Sequence, residues 1–397
     1  MEVPNWLLRA DPDRLAVNSL TYGELIDRAR TALIPRVSSA GIALPPGEQF
    51  AVVLHALWMR GIVAVPQDPR VPQNERPAAA IELTKPPDYG EPVDPVPLDL
   101  SAPAAHMKTS GTSGIAKRVS ISFGNFLWSA LGSAAMLDVR PDDRWLCAMP
   151  LSHVGGLSIL VRSAIYGTTA IVHERWDTER VAQTDATLIS LVPTTLKRLL
   201  DAGWTGGPNL RWALIGGAPL SVALREQAQD AGVPVAETYG LTETTSQVTT
   251  FGHPLFCTRV RLSSQGEIVV SGPTVTSPGP LYTGDLGAWR SDGTLQVTGR
   301  KSDTIITGGE NVAPTDVESV LEQHPAVAEA LVSARSDVEW GEAIVATIVL
   351  TPGQKVSGEE LKAFCFSRLA GFQIPKQFGF ATELPRTASG KLMRHRL

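Results

Sequence analysis

Residues 108–117 read KTSGTSGIAK, with glycines set between the hydroxyls of Thr109, Ser110, Thr112 and Ser113 and a closing Lys117. Glycine lets a backbone approach a ligand closely, and backbone N–H groups in such a turn form an anion-binding nest. Hydroxyl donors and a mobile positive charge complete a set suited to a polyphosphate. The stretch is not a Walker A loop, because G-x-x-x-x-G-K-[ST] occurs nowhere in the chain. A flexible Ser/Thr/Gly linker is the competing reading of these residues taken alone.

Later stretches add to that inventory. PLSHVGG (150–156) places His153 at a strand end ahead of a glycine pair, and IGGAP (215–219) ends another strand in a turn where a flat ring can lie against backbone. ETYGLTETT (237–245) follows a strand with an aromatic, hydroxyls and a carboxylate. YTGDLG (282–287) offers Asp285, GRKSDTIITGGEN (299–311) offers Arg300 and a glycine pair, and PRTASGKLMR (385–394) presents Lys391. Ligands of open α/β sheets bind outside the carboxyl ends of the strands, where several of these motifs converge. Together they supply nearly every part of a nucleoside triphosphate site.

Positioning them requires a regular scaffold, and the pattern of the chain provides one. Thr21 and Glu24 form a capping box ahead of Leu25, Ala29 and Leu33 at helical spacing. QFAVVLHALW reads as the start of a buried strand, and GIVAVP as the next. Residues 76–103 read as an irregular surface crossing, and 119–137, which carry no charge, as a buried helix. From Ala105 the strand-like runs RWLCAMP, TTAIVHE, TLISLVP, RWALIGG and VPVAETYG alternate with helical ones, which argues an α/β fold with a mainly parallel sheet. Past Gly252 hairpins take over, one with an Asp-Gly turn, and residues 305–397 hold a compact mix. The expected division is 1–301 and 302–397, with a boundary near Lys301 to Asp303.

Composition narrows the class. The chain has 397 residues, 43% hydrophobic and 19% charged, with a net charge of −5. That describes a globular protein of two domains with no electrostatic case for nucleic acid as partner. Cys147, Cys257 and Cys365 are scattered without metal-ligand spacing and read as reduced thiols, buried and structural, in a cytoplasmic protein. No signal peptide or membrane span is expected; a homo-oligomer stays open.

Taken in order, these motifs resemble those of the adenylate-forming superfamily of acyl-CoA synthetases, luciferases and peptide-synthetase adenylation domains. The likeness runs from TYGEL to SGKLMR. It implies a large N-terminal α/β domain with mainly parallel sheets and a small β-barrel-like part, followed by a small mobile α+β domain. A narrower likeness is to the o-succinylbenzoate–CoA ligases of menaquinone biosynthesis, carried by MPLSHVGGLSILVRSAIYGTTAIVHERWD, LVPTTLKRLLD and ETYGLTETTSQVTT. Ala116 and Arg118 depart from that group's proline and glycine around Lys117, and Ala218 stands where a third glycine is common.

The resemblance implies a role for each residue. Thr109, Ser110, Gly111, Thr112, Ser113, Gly114 and Lys117 would hold the β- and γ-phosphates of ATP. Tyr239 would stack on adenine between Gly217 and Ala218, Thr242 would meet the α-phosphate, and Glu243 would hold Mg²⁺. Asp285 and Arg300 would grip the ribose. His153 would orient the acid and line the passage to the thiol; a carboxylate nucleophile is already ionised at neutral pH and needs no base. Thr245, Ser246 and Gln247 would line the acid pocket. Lys391 would bridge the acyl carboxylate and the α-phosphate, Gly308 and Gly309 would line the CoA channel, and Ser302 would be the hinge.

The implied reaction joins a carboxylic acid to CoA through an acyl-adenylate, with o-succinylbenzoate as the acid. The alternatives are a CoA ligase for another aryl or short acyl acid, a stand-alone adenylation enzyme loading a separate carrier protein, and a nucleotide-binding regulator without CoA turnover.

Overall fold

In the computed structural model the described residues are 1–109, 117–386 and 393. Contacts divide the chain into two compact units. The first comprises Met1–Gly217, Ala228–Val260 and Val270–Leu281; the second comprises Ala218–Gln227, Arg261–Val269 and Tyr282–Leu397.

The first unit holds a nine-stranded and a five-stranded sheet. At the centre of the larger one, Val235–Tyr239, Trp212–Ile215, Leu188–Leu191, Arg144–Cys147, Thr169–Val172 and Leu15–Val17 run parallel in that order. Short antiparallel strands close both edges. The smaller sheet is ordered Ile81–Leu83, Ser39–Ile42, Val63–Pro66, Pro103–Thr109, Lys117–Ser122, and only the last strand is antiparallel. Leu188, Ile189 and Leu191, like Ala213, Leu214 and Ile215, are buried, as a parallel sheet covered on both faces demands.

The expected capping box is present: the Thr21 hydroxyl accepts from Glu24 N, and Glu24 Oε2 accepts from Thr21 N, opening helix α1 (Tyr22–Thr31). The stretch QFAVVLHALW is not a strand but most of helix α2 (Glu48–Trp58). Every residue from Phe50 to Trp58 is buried, so the helix has no solvent face to impose a 3.6-residue period on its sequence. Trp58 anchors it, donating Nε1–H to Ala104 O at 2.9 Å. The uncharged run 119–137 also divides: Lys117–Ser122 is a strand, and helix α3 (Phe123–Leu137) begins after it, with Ser122 and Asn125 forming the box at its start. Most of the expected crossing from 76 to 103 is irregular, but Ile81–Leu83 joins the smaller sheet.

In the second unit, Leu281–Trp289 and Leu295–Arg300 form the hairpin that the Asp292-Gly293 turn announces. The residues that follow build a five-stranded sheet around Gly341–Leu350, which pairs antiparallel with Val327–Asp337 and parallel with Gln377–Ala381. Val317, Leu321, Val332, Ile344, Ile348 and Leu361 fill its core. Among the described residues no helix is long and apolar enough to cross a membrane.

Candidate active site

Ser110, Gly111, Thr112, Ser113 and Gly114 lie outside the described residues, as does Lys391. The strands on either side of this stretch are described: Thr109 and Lys117 face each other across an antiparallel register, with Thr109 Oγ1 donating to Lys117 O at 3.4 Å. Lys117 is exposed.

The strand Val235–Tyr239 delivers Tyr239 to the carboxyl edge of the parallel sheet, next to the strand Trp212–Ile215 that leads into Gly217 and Ala218. Beyond Tyr239 the chain folds back sharply. A Cβ on Gly240 would lie 1.5 Å from Ser246 O, so only glycine permits the return. Thr242–Thr244 form a 3₁₀ turn, and Thr245 and Ser246 follow with φ of 55° and 86°. Left-handed backbone at a β-branched residue persists only where its surroundings impose it. The restraints are visible: Thr276 N and Oγ1 donate to Glu243 O at 2.9 and 3.2 Å, and Thr245 Oγ1 donates to Thr274 O at 2.8 Å. Glu243 is half-buried, and its carboxylate has no hydrogen-bond or ion-pair partner among the described residues.

Among those residues no group of three or more histidine, cysteine or acidic side chains could hold a metal by itself. A single carboxylate such as that of Glu243 is enough for Mg²⁺ where substrate phosphates supply the other oxygens, since the ion keeps waters and takes one or two carboxylates.

His153 caps helix α4 (Val154–Tyr166). Desolvation by surrounding protein holds its pKa below the usual imidazole value, with Asp68 opposing and Arg70 adding to the effect. Asp68 and Arg70 form a two-pronged ion pair at 2.9 and 2.7 Å in the loop after Val63–Pro66. Neither residue stood out in the sequence, where they read as ordinary loop charges.

Two turns further along α4 is a residue that the motifs did not single out. Arg162 is 3% exposed and no carboxylate pairs with it among the described residues. Its guanidinium lies 5.7 Å from the ring centroid of Trp145, Nη2 donates to Ser129 Oγ at 3.1 Å, and Nε has no partner. Desolvation lowers its pKa, yet a guanidinium stays charged at neutral pH. Further buried polar atoms lack partners on the elements around it: Ser133 Oγ on α3, Ser158 Oγ on α4, and Gln247 Oε1 and Thr274 Oγ1. Such groups mark places where water or a ligand completes the bonding. Holding a lone ion out of water costs on the order of several kcal/mol, a cost that an incoming anion offsets. The sequence signal was available as a single charge inside the apolar run LSILVRSAIY.

Of the residues expected to line the acid pocket, Thr245 commits its hydroxyl to Thr274 O. Gln247 is buried and donates Nε2–H to Thr250 Oγ1 at 3.0 Å, leaving Oε1 open. Ser246 is half-buried in the tight return.

In the second unit Asp285 and Arg300 are register partners on adjacent strands, and Arg300 Nε donates to Asp285 Oδ1 at 2.9 Å. Each is thus a partner of the other before any ligand is considered. Ser302 lies in a short 3₁₀ turn, Lys301–Asp303, where its hydroxyl donates to Asp303 Oδ1. Gly308 and Gly309 have φ of 60° and 86° in the turn between Ile305–Thr307 and Glu310–Val312. A Cβ on Gly308 would meet the Trp340 ring at 2.9 Å, while one on Gly309 would meet open space. Lys376 Nζ sits 4.3 Å from the Trp340 ring centroid. An aromatic with an ammonium above it, beside an open glycine turn, is a surface suited to a flat, phosphate-bearing ligand. Trp340 and Lys376 are far apart in sequence, so spacing could not pair them.

Residues 74–278 match the AMP-binding enzyme model, and 316–391 match the AMP-binding enzyme C-terminal domain. A 2-succinylbenzoate–CoA ligase from Bacillus licheniformis is 35% identical over the full length of both chains. The o-succinylbenzoate CoA synthetase of Bacillus subtilis, solved with the acyl-adenylate intermediate, is 34% identical at a TM-score of 0.89, covering 99% of this chain and 98% of that one. The same enzyme with ATP and a magnesium ion gives 33% identity and a TM-score of 0.90, covering 99% of both chains.

Proposed function

The chain belongs to the AMP-binding enzyme family, and from that premise we infer that it is an ATP-dependent acid–CoA ligase whose acid is o-succinylbenzoate. In the first step a carboxylate oxygen attacks the α-phosphorus of ATP and the bond to pyrophosphate breaks. In the second the CoA thiolate attacks the acyl carbon, and AMP leaves with the bonding pair.

The observation that carries the choice of acid is Arg162. o-Succinylbenzoate has one carboxylate to activate and a second, on its ring, that must be bound and spared. His153 caps α4 and Arg162 lies within it, about 13 Å of helical rise further along. A buried, unpaired cation at that remove supports recognition of a distal carboxylate.

The remaining roles follow the chemistry of each group. Thr109–Gly114 and Lys117 take the β- and γ-phosphates, Tyr239 with Gly217 and Ala218 takes adenine, and the Asp285–Arg300 pair takes the ribose. Thr242 meets the α-phosphate, and Ser246 and Gln247 contribute to the acid pocket. Lys391 counters charge between the carboxylate and the α-phosphate. Gly308 and Gly309 leave room for the pantetheine arm, and Trp340 and Lys376 suit the nucleotide of CoA. Division at 301/302, with Ser302 as the hinge, separates adenylation from thioester formation. The free thiols Cys147, Cys257 and Cys365 support a reducing, cytoplasmic setting.

Glu243 would hold magnesium, which neutralises triphosphate charge when bound. Glu243→Gln keeps the shape and removes the charge, so the Mg²⁺ concentration for half-maximal pyrophosphate exchange should rise about tenfold. An unchanged metal requirement assigns Glu243 to the turn alone.

The reaction itself is tested by offering a panel of aryl and short acyl acids with ATP, with and without CoA. The expected outcome is acid-dependent pyrophosphate exchange without CoA, and AMP release with a thioester product only when CoA is present. Exchange without any thioester would instead assign a carrier protein as acceptor. A better acid in the panel would displace o-succinylbenzoate.

A further inference from the structure

We propose that Ser129 is a positioning residue that transmits occupancy of the Arg162 pocket to the nucleotide-binding turn. The inference rests on the acid assignment above and names how that site communicates with the ATP site.

Ser129 is 1% exposed on α3, and its hydroxyl stands between two groups with different tasks. It accepts from Arg162 Nη2 at 3.1 Å and donates to Thr245 O at 2.7 Å. The direction of this relay is fixed. A guanidinium can only donate and a carbonyl can only accept, so the single serine proton lies toward Thr245. Thr245 is the first of the consecutive left-handed residues that close the turn bearing Thr242 and Glu243. The other restraints on that turn come from neutral partners, Thr274 O and Thr276. Among the described residues, Ser129 links it to a charged side chain.

Hydrogen bonds in series polarise one another in a low-dielectric interior. Arg162 donating to Ser129 strengthens the donation from Ser129 to Thr245 O. An acid carboxylate at Nε orders the guanidinium and therefore orders the relay. The turn is held in its left-handed form more tightly when the right acid is bound, so the α-phosphate and metal positions are set best in the presence of that acid. By reciprocity, nucleotide must tighten the same acid by the same factor.

The experiment is calorimetric binding of o-succinylbenzoate and of 4-oxo-4-phenylbutanoate, which lacks the ring carboxylate. Each is titrated with and without α,β-methylene-ATP and Mg²⁺. In the unmodified protein the nucleotide should tighten o-succinylbenzoate about tenfold more than it tightens the analogue. In Ser129→Ala that differential should fall below about twofold, while nucleotide alone binds within about threefold of the unmodified protein. Ser129→Thr, which keeps the hydroxyl, should restore it. Ser129→Cys, close in size and a weak donor, repeats the removal without a cavity.

A full differential in Ser129→Ala or Ser129→Cys overturns the relay while leaving the acid assignment standing. So does an equal loss of nucleotide binding in the absence of acid, which marks a merely structural serine. Equal binding of the two acids by the unmodified protein overturns the acid assignment itself, and the relay with it.

Discussion

In Lys391→Ala, acyl-adenylate formation falls by roughly two to three orders of magnitude, the range for losing one charged or hydrogen-bonding stabiliser of a transition state. Negative charge accumulates between the attacking carboxylate and the α-phosphate, and an ammonium aimed there stabilises the transition state more than the ground state. Lys391 itself lies outside the described residues, but its flanks are defined. Arg386 pairs with Glu329 at 2.9 Å, and Met393 N donates to Pro385 O at 2.9 Å, so residues on either side of the lysine are fastened to the second unit. Thioester formation from a supplied acyl-adenylate no longer involves that charge and should survive within a few-fold. Single-turnover measurements of the two half-reactions check this. Comparable losses in both would remove Lys391 from adenylation and assign it to general stability or CoA binding.

What could be read from the sequence was mostly what is local. The Thr21–Glu24 box and the Asp292-Gly293 turn depend on neighbours three residues apart or fewer, and both form as expected. Helix α2 failed because its burial on all sides erases the periodicity that distinguishes a helix from a strand. The stretches 215–219 and 237–245 stood out because each sets glycines or hydroxyls at the end of a strand, and both strands form. Arg162 was not, since a charge in an apolar run becomes conspicuous only when its burial and its missing carboxylate are known. Asp285 and Arg300 were expected together as ribose ligands, and the register shows that they are also partners of each other. Trp340 and Lys376 meet only through the pairing of Gly341–Leu350 with Gln377–Ala381, which no spacing reveals.

Arg162→Met separates a charge kept for a ligand from one kept for the fold. Methionine fills similar space without the ion, and replacing a buried charge with a well-packed apolar side chain is often neutral or stabilising by about 1–4 kcal/mol. The variant without ligand should therefore unfold at the same denaturant concentration as the unmodified protein, or a higher one. Its activity should move the other way. A site built to pair a polar group loses roughly four orders of magnitude against a substrate that lacks the group, and removing the protein partner forfeits a similar share of that selection. Adenylation of o-succinylbenzoate should accordingly drop about a thousandfold in kcat/KM. Use of 4-oxo-4-phenylbutanoate should hold or improve, so that the two acids become comparable substrates. Arg162→Lys should recover little, because a point charge on a flexible stem reproduces neither the planar fork nor the stacking on Trp145. Persistent selection for the ring carboxylate in Arg162→Met would place its recognition elsewhere. A large loss of stability without ligand would make Arg162 a structural ion, paired through contacts that hold the fold instead of the acid.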